Sequence, residues 1–145
     1  MAVERPSSST AAAKRVYVID DDPAMLESTM FLLDSVGIPS KPFSDPIEFL
    51  HALKTLEPGC VLTDFRMPTM TGIELHEALA ARKVRWPVIV MSGHSNAHEE
   101  EPMQDGGIFD FIEKPFTLDR LSGALKRAFR ELRGDPVQGS AVSAG

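Results

Sequence analysis

Short apolar runs that each end at a polar residue, most of them separated by stretches with helical periodicity, constrain this chain more than any other feature. Val16-Tyr17-Val18-Ile19 ends at Asp20-Asp21-Asp22, and Cys60 to Thr63 ends at Asp64. Pro87 to Met91 ends at Ser92, and Ile108 to Ile112 ends just before Lys114. A weaker run, Pro39 to Phe43, has prolines on both sides of Lys41 and suits an edge strand, because proline cannot donate to a hydrogen-bond ladder. Asp22-Pro23 fits a helix start, with the acid as cap and proline in the first turn; this helix carries Leu26, Met30 and Leu33 and stops at Gly37. Asp45-Pro46 opens a second helix with Phe49, Leu50 and Leu53, and Thr71-Gly72 a third with Leu75, Ala78 and Leu79. The last helix begins near Thr117 and places Leu118, Leu121, Leu125, Ala128 and Leu132 on one stripe.

Strands alternating with helices imply right-handed crossovers and a parallel sheet covered on both faces. Five such units predict an α/β, flavodoxin-like doubly wound (βα)5 fold with strand order 2-1-3-4-5. The ends of strands one, three, four and five then meet beside strand one. Those ends carry the aspartate triplet, Asp64, Ser92 and Lys114, so topology gathers distant residues into one pocket.

A chain of 145 residues suits one domain, expected over 14–133, between a disordered tail at 1–13 and a flexible tail at 134–145. A formal net charge of −6 argues against nucleic acid as the main partner. No apolar run approaches the roughly 20 residues a membrane span needs, and the N-terminus lacks the apolar core of a secretion signal. The single cysteine, Cys60, excludes an intramolecular disulfide and reads as a small buried side chain. A cytoplasmic location is expected.

Three carboxylates in one pocket repel and raise each other's pKa unless a hard divalent cation joins them; Mg2+ (or Mn2+) suits such donors. A lysine across the pocket can hold phosphate oxygens, and a hydroxyl can donate to the same group. Carboxylate, metal, lysine and hydroxyl together fit an aspartyl-phosphate site. The bland alternative is four unrelated loop polars on a generic α/β domain.

The motifs Ile19-Asp20-Asp21-Asp22, Thr63-Asp64-Phe65-Arg66-Met67-Pro68, Gly72, Met91-Ser92-Gly93-His94 and Phe111-Ile112-Glu113-Lys114-Pro115-Phe116 carry a family resemblance. Over roughly 14–133 the chain resembles a response-regulator receiver domain (CheY-like) of two-component signalling. The resemblance implies a signalling switch rather than an enzyme. Asp64 is then the phosphoacceptor, supplied by a phosphohistidine on a histidine kinase or phosphotransferase. Asp21 and Asp64, with the backbone carbonyl of Arg66, ligate Mg2+, and Asp20 helps position metal and water. Lys114 binds the phosphoryl group, Ser92 hydrogen-bonds it, and Phe111 changes rotamer as Ser92 moves. The implied partners are that kinase, a downstream protein target and, on phosphorylation, a second copy. Asp22 reads as a helix cap.

The segment Ser95 to Gly107 departs from the family pattern. Three glutamates, Pro102 and a glycine pair predict a short or irregular fourth helix, and so a specialised partner surface. His94 and His98 lack a third ligand and read as solvated. His94 and Arg66, each two residues past a pocket residue, are placed to admit or block hydrolytic water and so tune the phosphoryl lifetime. A haloacid-dehalogenase-type phosphatase is the enzymatic rival; its nucleophile would be Asp20, but Ala24 stands where that family wants Thr or Val. A DNA-binding regulator is the other rival. About a dozen residues follow the last helix, too few for a helix-turn-helix module, so a stand-alone receiver or the receiver of a longer regulator is expected.

Overall fold

Val16, Val18, Leu62, Ile89 and Met91 alternate along their strands with Tyr17, Ile19, Val61, Val88 and Val90, and both sets are buried. A strand apolar on both faces needs cover on both sides. The computed structural model describes residues 14–93 and 107–133 and supplies that cover. Its elements are β1 (Val16–Ile19), α1 (Pro23–Ser35), β2 (Ser40–Phe43), α2 (Pro46–Ala52), β3 (Cys60–Asp64), α3 (Gly72–Ala81), β4 (Val88–Ser92), β5 (Asp110–Glu113) and α4 (Leu118–Leu132). A 3-10 turn at Leu53–Thr55 follows α2. All strand pairs are parallel, in the order β2-β1-β3-β4-β5, which is the flavodoxin-like arrangement. The expected tails, His94, His98 and the segment 95–106 predicted to hold an irregular helix lie outside the described residues.

Two cores flank the sheet. Val16, Val18 and Ile89 pack with Leu33 of α1 and with Leu121, Leu125 and Phe129 of α4. Tyr17, Ile19 and Val90 pack with Phe49 and Leu50 of α2 and Leu75 and Leu79 of α3. Each fully buried side chain of this size contributes about 1.5–3 kcal/mol, so neither layer is dispensable. Cys60 is buried within the first core, and burial pushes its thiol pKa up, out of reach of thiolate chemistry.

Several boundaries differ from those the sequence predicts. Pro39 and Pro87 precede their strands because they lack an N–H; they contribute only carbonyls, which accept from Val16 N at 3.0 Å and Val61 N at 2.9 Å. Strand β5 starts at Asp110 rather than Ile108, and Phe109 N donates to Val88 O at 2.8 Å just ahead of it. On α1 the fully buried positions are Thr29 and Leu33, with Leu26 and Met30 only partly covered. On α4, Ala124 and Phe129 join Leu121, Leu125 and Ala128 in the core, while Leu118 and Leu132 are only half-buried at its ends.

Helices α1 and α3 stop where the backbone turns left-handed. Gly37 (φ 75°) ends α1, with Gly37 N bonded to Asp34 O and Ile38 N to Leu33 O, both at 3.0 Å. The same turn closes α3, but Lys83 (φ 63°) occupies the left-handed position, where a side chain is disfavoured. Lys83→Gly is expected to raise stability by about 0.5–1 kcal/mol, read as a higher denaturant midpoint at unchanged slope. No helix among the described residues is long and apolar enough to cross a membrane.

Candidate functional site

At the C-terminal ends of β1, β3, β4 and β5 the polar residues of the sequence motifs converge. Asp20 follows β1 and is fully buried. One of its oxygens, Oδ1, accepts from Asp22 N at 3.0 Å, while Oδ2 has no hydrogen-bond partner among the described residues. Burial, reinforced by the charges of Asp64 and Asp21, pushes the Asp20 carboxyl up to about 6, against the opposing pull of the Asp22 amide and Lys114. Asp22 itself caps α1, its Oδ1 accepting from Ala24 N at 3.0 Å.

Asp64 closes β3 and pairs in register with Met91 of β4. Its neighbours hold the backbone on both sides. Thr63 Oγ1 donates to Asp64 O at 3.0 Å, and Phe65 N donates to Met91 O at 2.8 Å. Gly72 opens α3 directly behind, and a Cβ there would stand 2.9 Å from Asp64 O. Only glycine lets the helix approach so closely, and the Thr71–Glu74 capping box anchors that start.

Lys114 follows β5, and its backbone N donates to Ser92 O at 2.8 Å. Its ammonium lies 2.9 Å from Asp64 Oδ1 and 3.8 Å from Asp20 Oδ2. One cation thus serves two carboxylates, with Asp21 adding a third at the exposed rim. Ligand oxygens of Asp20, Asp21 and Asp64 lie within 4.8 Å of one another. Three hard oxygen donors, one of them buried with an unpartnered lone pair, fit a divalent cation such as Mg2+.

Ser92 is buried at the end of β4, one residue beyond the partner of Asp64. Phe111 of β5 pairs with Val90 and is half-buried against the core shared with α2 and α3. Arg66 is exposed, with its guanidinium over the Phe65 ring at 5.6 Å from the centroid. The structure therefore gathers Asp20, Asp21, Asp64 and Lys114 by distance and places Ser92 beside them by register. Phe111 stands one layer away, and Arg66 at the rim.

One constellation escapes the sequence motifs. Asp110 Oδ2 accepts from Arg120 at 3.0 Å and from Arg127 at 2.7 Å. Arg120 also donates to Phe111 O at 2.8 Å, and Phe111 N donates to Asp110 Oδ1 at 2.8 Å. Two arginines one heptad apart on α4 were the available signal, but nothing local ties them to a strand residue.

Comparison with known proteins agrees with this geometry. The family model described as "Response regulator receiver domain" matches residues 16–126. The transcriptional regulatory protein FixJ of Bradyrhizobium diazoefficiens is 43% identical over 116 residues, covering 80% of this chain and 57% of that protein. The response regulator protein TmoT of Ectopseudomonas mendocina is 36% identical over 115 residues, covering 79% and 52%. The chain thus spans about half the length of these relatives. Among solved structures, full-length FixJ from B. japonicum superimposes with a TM-score of 0.77 at 42% identity, covering 82% of this chain and 59% of that one. The crystal structure of FixJ-N gives 0.75 at 33% identity, covering 80% and 93%.

Proposed function

This chain belongs to the response regulator receiver domain family, the signalling switches of two-component systems, and we propose that Asp64 is its phosphoacceptor. The phosphoryl group comes from a phosphohistidine on a partner histidine kinase or phosphotransferase. The phosphorus–nitrogen bond breaks as the Asp64 oxygen–phosphorus bond forms, and the imidazole leaves with the electron pair. The observation that carries this reading is the 2.9 Å contact between Lys114 Nζ and Asp64 Oδ1 inside a three-carboxylate cluster. The carboxylate is pre-aligned beside a cation that can follow the charge onto the phosphoryl oxygens.

Asp20, Asp21, Asp64 and the Arg66 carbonyl would hold Mg2+ (or Mn2+), which would supply further neutralisation of those oxygens. Lys114 releases its pairing with Asp64 to hold the incoming group. Ser92 donates its hydroxyl to a phosphoryl oxygen, Phe111 turns inward behind it, and the altered surface is read by a downstream protein. That output we assign to control of transcription, in line with the FixJ relatives, which are transcriptional regulatory proteins of greater length. The hydrolase alternative gives way to the family assignment, and its nucleophile, Asp20, is fully buried.

Incubating the chain with a phosphohistidine-bearing phosphotransfer protein carrying labelled phosphate tests the proposal. Label should move to this chain when Mg2+ is added; its retention on the donor across a panel of kinases and phosphotransferases overturns the reading. Arg66 and His94 then set the lifetime of the product. Arg66→Ala and His94→Ala are each expected to change the autodephosphorylation rate severalfold, and an unchanged decay in both refutes that role.

A further inference from the structure

The exposed large hydrophobic side chains among the described residues are Phe31, in the C-terminal half of α1, and Val36, just past its end, with Phe31 71% exposed. Isolated exposed apolar residues need no explanation, but Val36 lines a groove of about 580 Å³ between the C-terminal ends of α1 and α4, and Phe31 lines the groove beside it. The floor of the Val36 groove is apolar, from Ile38, Leu125 and Phe129. Its rim carries Lys14, Lys126 and Arg130, and no carboxylate among the described residues lines it. In a chain of net charge −6 this is a local reversal of sign.

A second, shallower groove adjoins it and has the opposite character. There Phe31 stands between Glu27 and Asp34, one turn before and one turn after it on α1, and no cation among the described residues lines the groove. The two grooves share Ile38 and Pro39, so the acidic, protruding patch and the basic, concave patch lie side by side. Adjacent patches that complement each other are what a twofold axis requires: each copy offers both halves of the contact.

We propose that this chain pairs with a second copy of itself across this face, Phe31 of each copy entering the basic-rimmed groove of the other. The twofold axis runs near Ile38–Pro39. Phe31 is the anchor, a rigid aromatic in an apolar pocket. Glu27 and Asp34 then meet Lys126 and Arg130 of the second copy at the rim, where charge gives register and specificity more than affinity. The face lies at the N-terminal edge of the sheet, away from the strand ends that carry Asp64. Pairing here is independent of phosphorylation and does not rest on the phosphoacceptor reading.

Sedimentation of the full chain, unphosphorylated, from micromolar to millimolar concentration tests the proposal. A monomer–dimer equilibrium that weakens with added salt is expected. Phe31→Ser should weaken it about tenfold or more. Lys126→Glu/Arg130→Glu and Glu27→Lys/Asp34→Lys should each leave monomers, and an equimolar mixture of the two variants should restore the dimer, now as a heterodimer. These side chains are exposed, and circular dichroism of each variant verifies the fold. A wild-type monomer throughout the range overturns the proposal. So does a dimer indifferent to Phe31→Ser and to both charge reversals, because contact then lies elsewhere.

Discussion

Asp64→Asn is expected to abolish phosphoryl uptake, from acetyl phosphate or a phosphohistidine donor, while leaving the chain folded. The amide has nearly the shape of the carboxylate but no nucleophilic oxygen, so the covalent product cannot form. The fold has little reason to suffer. Asp64 is one of three acids crowded around a single lysine, and its charge contributes to pushing the Asp20 carboxyl up to about 6. Neutralising it removes a repulsion as well as the 2.9 Å ion pair with Lys114, and these changes offset each other. Thermal unfolding should therefore shift little, while intact mass after treatment with donor shows no gain. Uptake that survives in Asp64→Asn places the nucleophile elsewhere.

Lys114→Ala is expected to have the second largest effect, slowing phosphoryl uptake by roughly 10²–10³-fold, the loss seen when one aligned electrostatic group is removed from a reacting centre. The side chain is 18% exposed and lies between Asp64 and Asp20, so no surface cation can take its place at those distances. The substitution also strips the acidic cluster of its internal cation. Added Mg2+ should then raise the melting temperature of Lys114→Ala more than that of the wild type, since the metal relieves a larger unbalanced charge. Stopped-flow or quench kinetics of uptake and a thermal melt with and without Mg2+ check both halves. A rate within a few fold of wild type contradicts the role given to Lys114.

Much of this is legible in the sequence because it is local. Val16 to Ile19, Cys60 to Thr63 and Val88 to Met91 announce strands by composition. Asp22, Asp45, Thr71 and Thr117 announce helix starts, and all four accept the capping bonds their positions call for. Gly37 announces a helix end. Once strand order follows from the alternation, the meeting of Asp20, Asp21, Asp64 and Lys114 is a consequence of topology rather than of any one motif.

What the sequence hides depends on partners distant along the chain. Thr29 is fully buried beside Leu33 while Leu26 and Met30 of the apolar stripe are only partly covered, because the rotation of α1 is set by the sheet beneath it. Lys83 takes a conformation usually left to glycine, because α3 must turn back there toward β4. Asp110 draws Arg120 and Arg127 together across β5 and α4, and no local pattern marks that pairing. The groove beside Phe31 exists only once α1 and α4 lie against the same face of the sheet.

The location of the phosphoryl group tests the central claim most directly. The wild-type chain, treated with acetyl phosphate and Mg2+, is weighed intact, digested and mapped by mass. The account predicts one phosphoryl group, carried on the peptide that contains Asp64 and absent when Mg2+ is chelated. A group on the peptide that contains Asp20, Asp21 and Asp22, or uptake undiminished by chelation, would contradict it.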